Sequence, residues 1–329
     1  MARPRVVGKH ARMCGTASSH AVIRAPSMLT IALCTWNRST VLEGALQALT
    51  QLVRPAGLDW EVVVVDNNST DGTGAVLARF TERLPLRPVC EPTPGASHAR
   101  NRAVSAARGH AILWTDDDAI VDPGWMAAYA QALTASPDVA VFGGPVRPCF
   151  EVPPPAWLVD AWESVAGAYA IRDLGPNPLP LDTAHVPYGP NYAVRTKVHR
   201  QFQYDTTLGP TKGGNIRGEE TALIRAVLNA GHLGRWVPEA RVSHLVPASR
   251  QTVGYLRRYY EGSGLTEART LGPLQGPLMF GAPRWMWRRA VTKELLYRWR
   301  RLTQPARSWV PAMTDASIAW GLLKGAQRQ

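Results

Sequence analysis

The sequence predicts a doubly wound α/β domain, a mostly parallel sheet flanked by helices, followed by a basic helical extension. Three observations carry this expectation. Strand and helix patterns alternate from residue 29 to residue 115, residues 62–65 are four consecutive valines, and polar clusters stand at three successive strand ends. A β-branched run without polar alternation suits a strand covered on both faces, as a parallel sheet requires.

The elements follow in order. Residues 29–34 read as a strand, and residues 39–52 as a helix whose apolar face is Leu42, Ala45, Leu46 and Leu49. A strand over 61–66, a helix over 74–83, a strand over 86–90, a helix over 96–107 and a strand over 110–115 continue the alternation. The last strand runs directly into Asp116, Asp117 and Asp118. Residues 153–190 hold prolines at 153, 154, 155, 176, 178, 180, 187 and 190, so regular structure is expected to be sparse there. Helical patterns return over 219–230, closed by Gly231, and over 252–265.

Composition narrows the class. The chain has 329 residues, 45% hydrophobic and 19% charged, which suits a folded globular protein with one large core and additions. No apolar run approaches the roughly 18–20 residues that cross a bilayer, and no hydrophobic signal segment opens the chain, so a cytoplasmic location is expected. Cys14, Cys34, Cys90 and Cys149 form no CxxC pair, which argues for reduced thiols over a zinc ribbon or a disulfide framework. The net charge of +12 implies an anionic partner: nucleic acid, a phospholipid surface or a phosphorylated substrate. Residues 1–27 carry Arg3, Arg5, Lys9, Arg12 and Arg24 without an acid or a periodic pattern, and read as a disordered leader or a mistaken start.

In a doubly wound sheet, ligands bind beyond the carboxyl ends of the strands. Thr35, Asn37 and Arg38, then Asp66 and Asn68, then Asp116, Asp117 and Asp118 all fall there, so three polar clusters meet in one crevice. Two or three carboxylates with open positions can hold Mg²⁺ or Mn²⁺ to neutralise a leaving diphosphate, and the three aspartates suit that role. Burying these like charges together without a cation would be costly. Asp66, at the end of the valine strand, is placed to bind a base or a ribose. A nucleotidyltransferase would also want acidic metal ligands, but residues 34–38 lack the glycine-rich basic signature such enzymes usually carry near the first strand. A basic nucleic-acid-binding protein is the other alternative, and it leaves the acidic strand ends unexplained, so no nucleic-acid partner is expected.

The segments CTWNR (34–38), VVDNNSTDGT (64–73), PGASHARNRA (94–103) and TDDDAIVDPGW (115–125) resemble, in content, order and spacing, the family-two glycosyltransferases of GT-A fold over residues 29–265. The resemblance implies an inverting, metal-dependent transferase of hexosyl type. It would move sugar from a nucleotide diphosphate sugar to a saccharide or lipid-linked acceptor in surface polysaccharide or glycoconjugate synthesis. It implies that Thr35, Asn37 and Asp66 line the nucleotide pocket, that Arg100 contacts base or diphosphate, and that Asp116 and Asp117 face ribose and metal. Asp118 is similar to the last aspartate of the family's DxD signature and becomes the leading metal ligand, with His244, in EARVSHLVP, reaching the same metal. GEETALIRAVLNAG (218–231) resembles the family's GED-type segment with glutamate where aspartate is commoner, so Glu220 or Glu219 is the expected catalytic base. PYGPNYAVRT (187–196) resembles the segment in which an asparagine, here Asn191, shapes the sugar pocket. On this reading residues 28–150 are the nucleotide-sugar half, 151–265 the acceptor half and 266–329 a helical basic tail.

That tail concentrates Arg284, Arg288, Arg289, Lys293, Arg298, Arg300, Arg301 and Arg307 against Glu294, interleaved with Trp285, Trp287, Leu295, Leu296, Tyr297 and Trp299. Such a composition suits an interfacial helix on the anionic inner face of the cell membrane, detachable by truncation after Pro283.

Overall fold

The computed structural model describes residues 28–209, 218–270 and 276–327. The expected leader, with Cys14, lies outside the described residues. Alternation appears as read: β1 (Met28–Thr35), α1 (Ser39–Leu49), β2 (Asp59–Asp66), α2 (Thr73–Phe80), β3 (Leu86–Cys90), α3 (Ala96–Ala106) and β4 (Ala111–Trp114). β5 (Ala119–Val121), α4 (Trp125–Ala135), β6 (Val139–Gly143) and β7 (Val146–Phe150) follow. The proline-rich stretch forms only the short α5 (Ala156–Asp160) and α6 (Trp162–Val165), a 3₁₀ turn (Ala166–Tyr169) and β8 (Pro180–Leu181). Then come β9 (Tyr192–Arg195), α7 (Thr196–His199), α8 (Glu219–Asn229), β10 (Leu233–Trp236) and β11 (Val242–Val246).

The main sheet runs β3-β2-β1-β4-β9-β6-β10-β8. β1 to β4 are mutually parallel, and β9 is inserted antiparallel between β4 and β6. The four valines explain themselves through the period-two alternation of a strand. Val62 and Val64 face a core shared with Leu42 and Leu46 of α1, Phe80 of α2 and Trp125 of α4, while Val63 and Val65 face one shared with Ala103 of α3 and Ile224 of α8. All four are fully buried, each contributing roughly 1.5–3 kcal/mol. A second sheet, β5-β11-β7, lies at the carboxyl end of β4. Within it β11 runs antiparallel to β5, with His244 opposite Ala119.

The C-terminal part is α9 (Val253–Thr270), a two-residue hairpin pair β12 (Leu278–Met279) and β13 (Ala282–Pro283), α10 (Arg284–Thr303) and α11 (Ala306–Ala326). The division expected at 265/266 falls inside α9, because the helix continues to Thr270. α9 and α11 cross at Gly264 and Gly321. A Cβ on Gly321 would come 2.1 Å from the Glu261 carbonyl, and one on Gly264 2.2 Å from that of Ile318. Trp309, Val310 and Met313 of α11 share a core with Leu158, Val165 and Tyr169 of the proline-rich segment and Leu256 of α9. The basic tail is therefore not detachable. Truncation after Pro283 would strip α11 from that core and expose it.

α10 is two-faced. Met286, Ala290 and Tyr297 are buried, and Glu294 is held by Arg257 and Arg298. On the opposite side Leu295 is 62% exposed, Trp299 55% and Leu302 87%.

Candidate functional site

A cavity of about 840 Å³ opens where β1, β2 and β4 end, and Thr35, Asn37, Arg38, Asn68, Arg100, Asp116, Asp117, Asp118, Glu219, Glu220 and His244 all line it. Parallel strands deliver the polar clusters to one edge. The Thr35 hydroxyl, closing β1, donates to Asp117 Oδ2 (2.8 Å). Asn37 and Asn68 adopt left-handed backbone, φ +51° and +69°, a conformation asparagine tolerates better than most residues. Asn37 Oδ1 accepts the Thr70 N–H (2.7 Å) and its own N–H donates to Ser69 Oγ (2.9 Å), stitching the β1 and β2 loops together.

Two charge clusters dominate. In the first, Arg38 bridges Asp117 Oδ1 (2.5 Å) and Asp118 Oδ2 (2.7 Å), and Arg250 reaches Asp118 Oδ2 at 3.3 Å. His244 Nε2 lies 3.1 Å from Asp118 Oδ1, and its Nδ1 lies 2.8 Å from the Tyr169 carbonyl, which accepts a hydrogen bond from the Nδ1–H. The pairing of β11 with β5 creates this contact, since the Leu245 N–H donates to the Asp118 carbonyl (2.9 Å). In the second cluster, buried Arg100 binds Glu219 (2.7 Å), Glu220 (2.5 Å) and Asp116 (3.4 Å).

Electrostatics separates the aspartates. Burial pushes the Asp116 carboxyl up to about 6 against the pull of Arg100, and that of Asp117 up to about 7 against Arg38. Burial, reinforced by the Glu220 charge, raises Glu219 to about 7. Asp118 is buried too, but its His244 hydrogen bond, with Arg38 and Arg250, holds it well below the carboxylate range, and Asp118 in turn raises His244. One oxygen each of Asp116 and Asp118 and a nitrogen of His244 lie within 4.8 Å of one another. Two hard carboxylates and an imidazole fit Mn²⁺ or Mg²⁺ in donor chemistry.

A pH dependence follows from these shifts. A carboxyl raised on folding binds its proton more tightly when folded, so its contribution to stability falls as pH rises from its unfolded value near 4 to its folded value. Asp116, Asp117 and Glu219 act this way up to about 6 to 7, and His244, also raised, loses its contribution as pH climbs through its folded value. His199, lowered by burial to about 4, acts in the opposite sense, but singly. Thermal denaturation without divalent ions is therefore expected to show a lower melting temperature at pH 7 than at pH 5, and saturating Mn²⁺ should flatten the difference. A rise toward pH 7 would mean these carboxylates ionise without penalty.

Two expectations need correction. Asn191 does not shape the cavity: it is fully buried, its Oδ1 accepting from Trp125 Nε1 and Tyr129 OH, its Nδ2 donating to the carbonyls of Pro145 and Ala240. With all four hydrogen-bonding positions used, it bolts β9 to α4 and the second sheet. Asp66 is absent from the cavity lining, because its Oδ1 turns back to accept the Ser69 N–H (2.9 Å). Arg100 lines the cavity and meets three carboxylates there.

Asn67 belongs to the cluster expected at the end of the valine strand, whereas Arg250, Tyr255 and Tyr259 were not anticipated. Asn67, beside Asp66, donates to the carbonyls of Glu91 and Thr93 and accepts from Gly95 N–H, fixing the loop that enters α3. Arg250 lies six residues beyond His244, with no pattern to mark it. Tyr255 and Tyr259, a helical turn apart on α9, are a visible signal only once that face of the helix is known to meet the cavity.

The profile of Glycosyl transferase family 2 matches residues 30–199. The succinoglycan biosynthesis protein ExoM of Rhizobium meliloti is 25% identical over 244 residues, 73% of this chain and 74% of that protein. A glucosyl-dolichyl phosphate glucuronosyltransferase of Haloferax volcanii is 23% identical over 51% of this chain and 54% of its own length. Among solved structures, mannosyltransferase PcManGT from Pyrobaculum calidifontis, in complex with GDP-Man and Mn²⁺, superposes with a TM-score of 0.58 at 21% identity, covering 92% of this chain and 87% of that one. S. aureus TarS 1–349 in complex with UDP-GlcNAc gives 0.52 at 15% identity, covering 84% and 73%.

Proposed function

The chain belongs to glycosyl transferase family 2, and from that premise we propose that it is an inverting, divalent-metal-dependent hexosyltransferase of surface polysaccharide or glycoconjugate synthesis. Glycosyl transfer displaces the nucleotidyltransferase alternative. The observation that carries the finer reading is the meeting of the Asp116, Asp118 and His244 donors with Glu219 and Glu220 in one cavity.

Asp116, Asp118 and His244 would hold Mn²⁺ or Mg²⁺, which when bound supplies Lewis-acid neutralisation of the leaving diphosphate. The chain's own residues supply the rest. Thr35 and Arg38 fix Asp117, and the stitched loops bearing Asn37 and Asn68 shape the nucleotide end of the cavity. Glu220 takes the proton from the acceptor hydroxyl as the new bond forms on the face of the sugar opposite the departing nucleotide diphosphate. Complexes of the neighbouring folds with GDP-Man and UDP-GlcNAc support a nucleotide diphosphate sugar as donor. Incubation with a panel of UDP-, GDP- and dTDP-sugars plus Mn²⁺ should release nucleotide diphosphate from one of them. Absence of release from every sugar, with the protein folded, would remove the donor class.

We further place the protein peripherally on an anionic membrane surface. Among the described residues no helix is long and apolar enough to cross a membrane. Support for surface attachment comes from the outer side of α10, where Val291, Leu295, Trp299 and Leu302 are exposed among Arg288 and Arg298. Phe280, on the hairpin before α10, is a further exposed apolar side chain, at 78%. Leu295→Glu with Trp299→Glu leaves the buried face of α10 intact, so circular dichroism should not change. Sedimentation with phosphatidylglycerol vesicles at low salt should fall several-fold, with on the order of 1 kcal/mol per nearby cation still at work. Equal binding by the double variant would take α10 out of the attachment.

A further inference from the structure

One part of the cavity lining is built from tyrosine. Tyr169 ends the 3₁₀ turn, Tyr188 lies in the loop before β9, and Tyr255, Tyr259 and Tyr260 come from α9; all five line the cavity. Four of the five rings form a connected surface. Tyr169 stacks on Tyr255 (centroids 5.6 Å, 26°), Tyr255 meets Tyr259 at 6.4 Å, and Tyr259 meets Tyr260 edge-on at 5.2 Å. The phenolic groups are tied down. Tyr255 donates to the Ala168 carbonyl (3.2 Å), Tyr259 to that of Gly167 (3.4 Å), Tyr260 to that of Ser164 (3.4 Å) and Tyr169 to that of Arg250 (3.2 Å). Anchored at their tips, these rings are held in place and offer mainly π-surface.

We propose that this wall is the acceptor subsite, and that its ligand is a neutral saccharide whose pyranose rings lie against Tyr255, Tyr259 and Tyr260. The inference rests on the glycosyltransferase reading of the same cavity. Two features select the ligand class. The wall's own residues, five tyrosines with Gly167, Ala168, Ala170 and Ser263, carry no charge, and the arginines and carboxylates of the lining stand on other segments of the chain. Among the described residues, the cavity lining includes no leucine, isoleucine, valine, methionine or phenylalanine. An isoprenoid or acyl chain would want such aliphatic surface, while the C–H faces of a sugar ring match an aromatic one, with ring hydroxyls left free to meet the polar rim.

The wall is also contiguous with the proposed base. Tyr188 immediately precedes Gly189, where a Cβ would stand 2.6 Å from Glu220 Oε1 and 3.6 Å from Asp116 Oδ2. A sugar resting on the tyrosines thus presents its hydroxyl edge beside Glu220. Arg172, 5.1 Å over the Tyr188 ring, backs that residue from behind.

The full-length protein would be tested by saturation-transfer NMR against methyl β-glucoside, cellobiose, lactose and maltose, with geranyl phosphate as the lipid probe. At least one neutral sugar should bind. Tyr259→Ala should weaken it by about tenfold, whereas Tyr259→Phe, which keeps the ring and loses the hydroxyl, should bind nearly as well as the wild type. Tyr255→Ala, the second variant, should repeat the loss if Tyr259→Ala does not fold. Binding of Mn²⁺ with UDP and with GDP, measured separately, should be unchanged in every variant. Saccharide binding that ignores both alanine variants, no saccharide binding at all, or preferred binding of geranyl phosphate would overturn the proposal. Failure of both nucleotides to bind would instead strike the glycosyltransferase reading, leaving the saccharide result to be scored on its own.

Discussion

Asp118→Asn is expected to lower turnover by about two to three orders of magnitude, since several kcal/mol of charge stabilisation is at stake at about 1.4 kcal/mol per decade. The site's geometry explains why this aspartate matters more than its neighbours. Its Oδ1 meets His244 and its Oδ2 meets both Arg38 and Arg250, so three cationic or protonatable groups are organised around one carboxylate. Held well below the ordinary carboxylate range, it is ionised throughout the working pH, whereas Asp116 and Asp117 are pushed up by burial. Asparagine preserves the shape and one acceptor oxygen but removes the charge. A Mn²⁺ titration followed by electron paramagnetic resonance should therefore show weakened ion binding, and chelation of the wild type should reproduce the kinetic loss. His244→Ala should weaken Mn²⁺ binding less, because one neutral donor goes rather than a charge. Full activity in Asp118→Asn, or in the wild type after exhaustive chelation, would end the metal-dependent reading.

Much of the fold could be read from the chain because its signals are local. Four valines state a two-sided strand, and their alternate sharing between the two cores shows why no polar residue interrupts them. The strand-end clusters could be read for the same reason: parallel strands place all their carboxyl ends on one edge. What stayed hidden depends on partners distant in sequence. Asn191 and Asp66 carry side chains suited to a sugar or a base, yet Trp125 and Tyr129 claim the first, and the turn at Ser69 claims the second. Arg100 could be placed at the cavity but not against Glu219 and Glu220, which lie 119 residues or more further along. The basic tail shows the limit most plainly. Its composition marks an amphipathic helix, but which aromatics face inward depends on α11, whose Ala- and Gly-rich sequence gives little periodic signal. Tyr297 is buried while Trp299, two residues on, is exposed.

Glu220→Gln should reduce transfer by about 10² to 10⁴ while leaving nucleotide binding intact, since glutamine keeps the shape of the side chain and cannot accept the hydroxyl proton. The choice between the two glutamates turns on access. Glu219 is 3% exposed, whereas Glu220 is 17% exposed, against Gly189 at the start of the tyrosine wall. A base must reach the acceptor, and only Glu220 combines a lining position with that opening. Glu219, pushed up by burial and the neighbouring Glu220 charge, is tied to Arg100 at 2.7 Å, which suits a residue that positions Arg100. Arg100 in turn holds Glu220 and keeps its carboxylate toward the cavity. Glu219→Gln should accordingly cost much less than Glu220→Gln, acting through the placement of Arg100. The two can be told apart by single-turnover transfer alongside donor hydrolysis. Loss of the proton acceptor should depress attack by the acceptor sugar at every pH above neutrality, whereas a displaced Arg100 should also weaken donor binding. If Glu219→Gln proves the more damaging, the base is Glu219; if both variants transfer at near wild-type rates, neither glutamate takes the proton.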